Sequence, residues 1–100
     1  MPILKVQLVR RAPEGEIMVK VALTSEKRPD VTSEGYVDPD VENLEYQVAV
    51  LAGTIAEHQC TIYGDGHDPH QIAAAAEKMV KKLKKKGNLK NQRIEKEFVG

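Results

Sequence analysis

The chain has 100 residues, a length that suits one domain, and we treat residues 1–100 as a single unit. Hydrophobic residues make up 41% of it, but only 4% are aromatic and none is Trp, so the core must be aliphatic. The lone Cys60 excludes an internal disulfide, and no apolar run approaches the roughly 18–20 residues of a membrane span, so we expect a cytoplasmic protein without a membrane partner.

The net charge of zero conceals a strong polarity along the sequence. Residues 1–70 carry 6 Lys and Arg against 12 Asp and Glu, whereas residues 71–100 carry 9 against 3. Such polarity has three interpretations. The basic end binds an anionic partner, two copies pair head to tail, or the acidic and basic portions of one chain meet when it folds.

Two segments near the amino terminus alternate apolar and polar residues, as half-buried strands do. They are "ILKVQLVRR" and "IMVKVALT", and the stretch between them contains Pro13 and Gly15, which favour a turn. We therefore predict a β-hairpin. Its apolar side consists of Leu4, Val6, Leu8, Ile17, Val19, Val21 and Leu23.

Residues 25–43 contain two prolines, several acids and no apolar period. This composition predicts a long acidic loop, and loops of that length are either functional or disordered. Its spaced acids begin like a calcium loop, but the glycine and the later bidentate glutamate that such a loop requires are absent.

The next two segments predict a second hairpin. "LEYQVAVLA" alternates through Leu44, Tyr46, Val48 and Val50, and Gly53 would turn the chain back into "TIAEHQCTIY". On that fourth strand His58 and Cys60 would share the more apolar face.

The strongest local pattern is that of an amphipathic helix from about Pro69 to Lys86. Asp68 suits the N-cap, Pro69 the first helical position, and Gln71 the third, while Gly87 suits the end. The last residues, through Ile94 and Phe98, predict either a fifth strand or a short helix. The fold class is then α+β, an antiparallel sheet of two hairpins with one long helix on one face. The apolar stripe of that helix consists of Ile72, Ala76, Met79, Val80 and Leu83.

All three histidines and the only cysteine crowd into the segment between residues 58 and 70. His58, Cys60, His67 and His70 are candidate zinc ligands by residue type, but their spacing matches no established zinc pattern. The alternative is that the first two are core residues and the last two surround a helix start. We predict no metal or other cofactor, and because no nucleophile-elbow, P-loop or paired-carboxylate pattern is present, no enzyme.

The remaining chemistry lies in the basic segment "KKLKKKGNLKNQR". Lysines on the solvent side of a helix neutralise phosphates, so we predict a small non-catalytic module that binds nucleic acid. The alternatives are a solvated helix face that serves solubility, and a protein-interaction module or homodimer that uses the acidic loop or a sheet edge. The candidate contact residues are Lys78, Lys81, Lys82, Lys85, Lys86, Lys90 and Arg93.

About 40 residues, from 44 to 83, resemble the second half of a double-stranded-RNA-binding domain. Tyr46, Val48 and Val50 match a strand of that family, Gly64 and Gly66 its turn, and residues 73–83 its alanine-rich helix. The resemblance implies a sheet-plus-helix fold and duplex RNA as a partner. Two departures stand against RNA binding, because Pro69 and His70 occupy the positions of the family's phosphate-binding lysines and an apparent hairpin replaces its first helix.

Overall fold

The computed structural model describes residues 2–10, 16–85 and 95–99, with the backbone alone for Lys85 and for 95–99. These residues form an antiparallel sheet with two helices on one face, so the predicted α+β class is confirmed. The elements are β1 (Ile3–Arg10), β2 (Ile17–Thr24), β3 (Thr32–Val37), α1 (Leu44–Tyr63), α2 (Pro69–Lys85) and β4 (Glu95–Val99).

The strands are ordered β3-β2-β1-β4, and each neighbouring pair is antiparallel. Strands β1 and β2 pair from Ile3 opposite Thr24 to Arg10 opposite Ile17. The predicted turn between them falls on residues 11–15, outside the described part of the chain. The alternation of these strands points one side of each toward the helices, where the buried residues include Leu4, Val6, Leu8, Val19, Val21 and Leu23.

The predicted acidic loop at 25–43 was wrong in its central part, because strand β3 occupies Thr32–Val37 and pairs with β2. Its side chains are exposed or only half-buried. An edge strand of this kind needs few apolar residues, so it leaves little periodic signal in the sequence. Gly35 allows the strand to approach helix α1 closely, since a Cβ there would lie 2.9 Å from Cδ1 of Leu51.

The predicted second hairpin was wrong, because residues 44–63 form helix α1. Their buried residues recur at three and four positions, which is the period of a helix rather than of a strand. Gly53 lies in the interior of the helix, and Gly64, with a φ of 68°, caps the end by donating its N–H to the Cys60 carbonyl oxygen. The buried residues are Leu44, Val48, Ala52, Ile55, Ala56 and Gln59.

Helix α2 begins at Pro69 as expected and is described to Lys85. The carboxylate of Asp68 accepts the backbone N–H of His70 at 2.9 Å, which is the predicted N-cap. Two helices therefore cover the sheet, not one. They run antiparallel, because Glu45 at the start of α1 meets Lys84 near the end of α2.

Helix α1 packs on β2 and β3, while α2 packs on β1. The aliphatic side chains between the two layers form one core, as the composition predicts. The C-terminal strand β4 pairs with β1 and is the fourth strand of this sheet rather than a fifth. None of the described helices is apolar over a stretch long enough to cross a bilayer.

Candidate nucleic-acid interface

Helix α2 carries a row of lysines on its solvent side, which we call the lysine stripe: Lys78, Lys81 and Lys82. Because Lys78 lies three and four positions before the other two, the three share one face at about 100° per residue. Their side chains are exposed, whereas Ile72 and Leu83 on the opposite side are buried. The side chain of Lys85, and the further candidates Lys86, Lys90 and Arg93, lie outside the described part of the chain.

Two ion pairs reduce the positive charge of this half of α2. Lys81 Nζ lies 3.3 Å from an oxygen of Glu77 one turn earlier, and both side chains are exposed. Lys84, which belongs to the side of α2 that meets α1, lies 2.6 Å from Glu45. Lys78 and Lys82 form no ion pair with a described residue, so they are the stripe members best placed for an external anion.

The histidine and cysteine segment is divided between α1, the α1–α2 connection and α2. His58 and Cys60 lie on helix α1 rather than on a strand, and His58 is exposed instead of facing the core. His70 is exposed in the first turn of α2. His67 is half-buried, and neither of its ring nitrogens forms a hydrogen bond with a described residue.

These four residues do not assemble into a metal site. Among the described residues, no group of three or more His, Cys, Asp or Glu side chains is arranged to hold a metal ion. Cys60 instead donates its Sγ–H to the backbone carbonyl oxygen of His67 at 3.1 Å. Burial raises the pKa of the Cys60 thiol, and the nearby carboxylates of Asp65, Asp68 and Glu57 raise it further. Cys60 is therefore a protonated thiol at neutral pH and a poor nucleophile.

Asp65 connects this segment to another loop of the chain, although the sequence did not single it out. It is buried, and its carboxylate accepts the Ser25 hydroxyl at 2.7 Å and the Lys27 backbone N–H at 3.0 Å. The Ser25 hydroxyl oxygen in turn accepts the Arg28 N–H at 3.0 Å. Asp65 thus joins the α1–α2 connection to the loop between β2 and β3, and we call this arrangement the aspartate clasp.

A cation–π contact supports the aspartate clasp. The guanidinium carbon of Arg28 lies 5.9 Å from the ring centre of Tyr63, the last residue of α1. The segment around Gly64 and Gly66 therefore has a structural role in closing the fold.

Comparisons with protein-family models, with curated proteins and with solved structures found no match to this chain. The residues that carry the double-stranded-RNA-binding resemblance occupy different elements from those expected, because Tyr46, Val48 and Val50 lie on helix α1. Gly64 caps that helix instead of turning a hairpin. Of the three parts of the resemblance, only the alanine-rich segment at 73–83 has the secondary structure that the resemblance implies, which is a helix.

Proposed function

We propose that the protein is a non-catalytic cytosolic module that binds the phosphate backbone of nucleic acid through the lysine stripe. The observation that carries this proposal is the exposure of Lys78, Lys81 and Lys82 on the side of α2 opposite the core. Because the helix already fixes the backbone of the three lysines on one face, only side-chain freedom is lost when their ammonium groups contact phosphates. A catalytic function has less support, because the raised pKa makes the Cys60 thiol a poor nucleophile and the described histidines do not gather into a metal site.

The charges of the stripe set the expected strength and salt dependence. Each phosphate contact on duplex DNA contributes about −0.9 to the slope of log affinity against log salt, so three or four contacts give a slope of about −3. We expect micromolar or weaker affinity at physiological salt. No aromatic side chain lies among the stripe residues, so base stacking adds no sequence preference there.

Fluorescence anisotropy with labelled duplex RNA and duplex DNA, over a salt series, tests the proposal. The triple variant K78E/K81E/K82E should lose binding at low salt and abolish the salt slope. Its melting temperature should fall by several degrees at most, because all three side chains are exposed and the described ion pair that is lost, Lys81–Glu77, is exposed as well. Binding that survives in the triple variant, or a wild-type protein that binds neither duplex at low salt, would overturn the proposal.

A matched pair of single variants distinguishes binding through the lysine stripe from a general effect of the protein's net charge. Lys82→Gln and Lys27→Gln change the total charge equally, both side chains are exposed, and neither variant adds a carboxylate beside Asp65. Lys27 lies in the loop between β2 and β3 rather than on α2. We expect Lys82→Gln to weaken binding several-fold and Lys27→Gln to change it little. Equal losses would indicate that net charge, not the stripe, governs association.

Strand β3 supports a second candidate, a protein-interaction module that uses a sheet edge. Among the described strands it pairs only with β2, so its outer backbone groups are available for strand addition. Adjacent residues of a strand direct their N–H groups to opposite edges. Of Ser33→Pro and Glu34→Pro, one therefore removes a hydrogen bond to β2 and lowers stability, while the other removes an outward N–H and leaves stability nearly unchanged. If the edge binds a partner or a second copy, the variant that keeps its stability should lose that association.

A further inference from the structure

The outer face of α2 contains a surface depression of about 460 Å³ that adjoins the lysine stripe. Ala74 and Ala75 lie four and three positions before Lys78, so they occupy the same face one turn earlier. Their side chains end at Cβ, whereas the residues one turn to either side have long side chains, and this difference in length shapes the depression. The residues that line it are Gln71, Ala74, Ala75, Lys78, Met79 and Lys82.

The lining of the depression has three chemically different parts along the helix. Lys78 and Lys82 give one end a positive charge, and neither forms an ion pair with a described residue. The floor is apolar, since Ala74 is exposed there and Ala75 is half-buried. At the other end the exposed Gln71 has an amide that both donates and accepts hydrogen bonds. A ligand that matches this order has an anionic group, an apolar portion and a polar edge.

We infer that an unpaired nucleotide of the bound nucleic acid occupies this depression, an inference that rests on the proposed function. Its phosphate contacts Lys78 and Lys82, one face of its base lies on the two alanines, and the polar edge of the base meets Gln71. In a duplex the base faces are stacked and their edges are paired, so only an unpaired nucleotide presents all three parts together. Every base has such a face, so the contact tolerates any sequence.

The charge of the lysine stripe alone would give the opposite preference. Each phosphate contact contributes about −0.9 to the salt slope on a duplex but only about −0.7 on a single strand, because the duplex concentrates more phosphate charge. A single strand that binds as tightly as a duplex of equal length, or more tightly, must therefore gain affinity from contacts other than charge. The apolar floor between Lys78 and Gln71 supplies such a contact.

Fluorescence anisotropy at low salt tests the inference with three DNA probes of equal length: oligothymidylate, an abasic strand that keeps the phosphates but lacks bases, and a duplex. The wild type should bind oligothymidylate several-fold more tightly than the abasic strand. Ala74→Leu should remove this difference, because the longer side chain fills the depression, and should leave the affinity for the abasic strand unchanged. Thr54→Leu is the matched control, because it enlarges an exposed residue of α1 outside the depression and should keep the difference.

Gln71→Ala tests the polar end of the depression separately. It should weaken the binding of oligothymidylate and leave that of the abasic strand unchanged, since the abasic strand has no base edge for the amide to meet. Equal losses for the two strands would mean that Gln71 makes no contact with a base.

The outcomes distinguish the inference from the proposed function. If the wild type binds the abasic strand as tightly as oligothymidylate, or if Ala74→Leu keeps the preference for bases, no nucleotide occupies the depression. Binding of the abasic strand and the duplex would then still support the lysine stripe. A wild type that binds none of the three probes would overturn both.

Discussion

The carboxylate of Asp65 joins the α1–α2 connection to the loop between β2 and β3. Its partners there, Ser25 and Lys27, lie 40 and 38 residues earlier in the sequence. Burying a carboxylate is costly unless hydrogen bonds replace its hydration. Here the Ser25 hydroxyl and the Lys27 N–H do so, and Ser25 is itself almost fully buried. Removing the carboxylate would leave both donors without a partner inside the protein.

We therefore predict that Asp65→Ala lowers the free energy of unfolding by on the order of 2–4 kcal/mol. Asp68→Ala provides the comparison, because it removes an exposed N-cap and should cost only about 1 kcal/mol. Urea denaturation followed by circular dichroism measures both values. If Asp65→Ala costs no more than Asp68→Ala, the aspartate clasp does not stabilise the fold as described.

The same carboxylate predicts a pH dependence. Burial alone would raise the pKa of Asp65, but the hydrogen bonds from Ser25 and Lys27, with the electrostatic influence of His67 and Lys27, outweigh burial and lower it. A lowered folded-state pKa stabilises the protein above the unfolded value of about 3.9, and this contribution disappears as pH falls through the folded pKa. Below about pH 4 the wild type should lose stability more steeply than Asp65→Asn. Urea titrations at several acidic pH values measure this, and identical slopes would be inconsistent with the clasp.

For a single residue, the sequence predicts its structural role only when the residues that it interacts with are close along the chain. The lysine stripe and the Asp68 cap follow from helical spacing alone, and the structure places Lys78, Lys81 and Lys82 on the expected side. Asp65 could not be found in this way. Its partners belong to another loop, and nothing in "GDG" distinguishes a buried acceptor from an exposed turn residue.

Among the elements, helix α1 shows why a periodic pattern can predict the wrong structure. Leu44 and Val48 fit both a strand period of two and a helical spacing of four. The β-branched residues and Gly53 favoured two strands and a turn, and the exposed Tyr46 and Val50 completed an apparent strand face. The helical signal was present in the continuation through Ala52, Ala56 and Gln59, but Gly53 interrupted the pattern.

Gly53 allows a direct test of α1. In a helix interior, Gly53→Ala should raise the free energy of unfolding by up to about 1 kcal/mol, since the added Cβ meets Ala73 only at ordinary contact distance. Gly53→Val should instead lower it by about 1–3 kcal/mol, because its larger side chain overpacks the crossing of the two helices. Thermal melts at low protein concentration compare the two. Destabilisation by alanine as large as that by valine would mean that the crossing tolerates no side chain.

Across the whole molecule, folding brings part of the basic portion of the sequence, residues 71–100, next to part of the acidic portion, residues 1–70. Lys84 from the basic half pairs with Glu45 from the acidic half, and this hydrogen-bonded pair, with the smaller influence of Lys81, lowers the pKa of Glu45. Lys78, Lys81 and Lys82, the other lysines of the basic half whose side chains are described, form no ion pair with a carboxylate of residues 1–70. The fold places the lysine-bearing end of α2 beside the start of α1, which directly follows the acidic segment, and composition alone could not show this.

The Glu45–Lys84 pair should contribute little to stability, because Lys84 is 45% exposed. We predict that Lys84→Ala lowers the free energy of unfolding by about 0.5 kcal/mol, and that added salt reduces the difference. Urea denaturation at low and high salt measures both effects. A loss that is large and independent of salt would imply that Lys84 stabilises the helix pair through packing of its stem.

The pairing of β1 with β4 places residue 3 opposite residue 99. During synthesis, β1, β2, β3 and both helices emerge from the ribosome before β4 does, so the core can form while one edge of β1 still has no neighbour. Contacts this distant in sequence form late and slowly. A nascent or truncated chain would therefore expose an apolar strand edge, which makes it a target for chaperones and a starting point for aggregation.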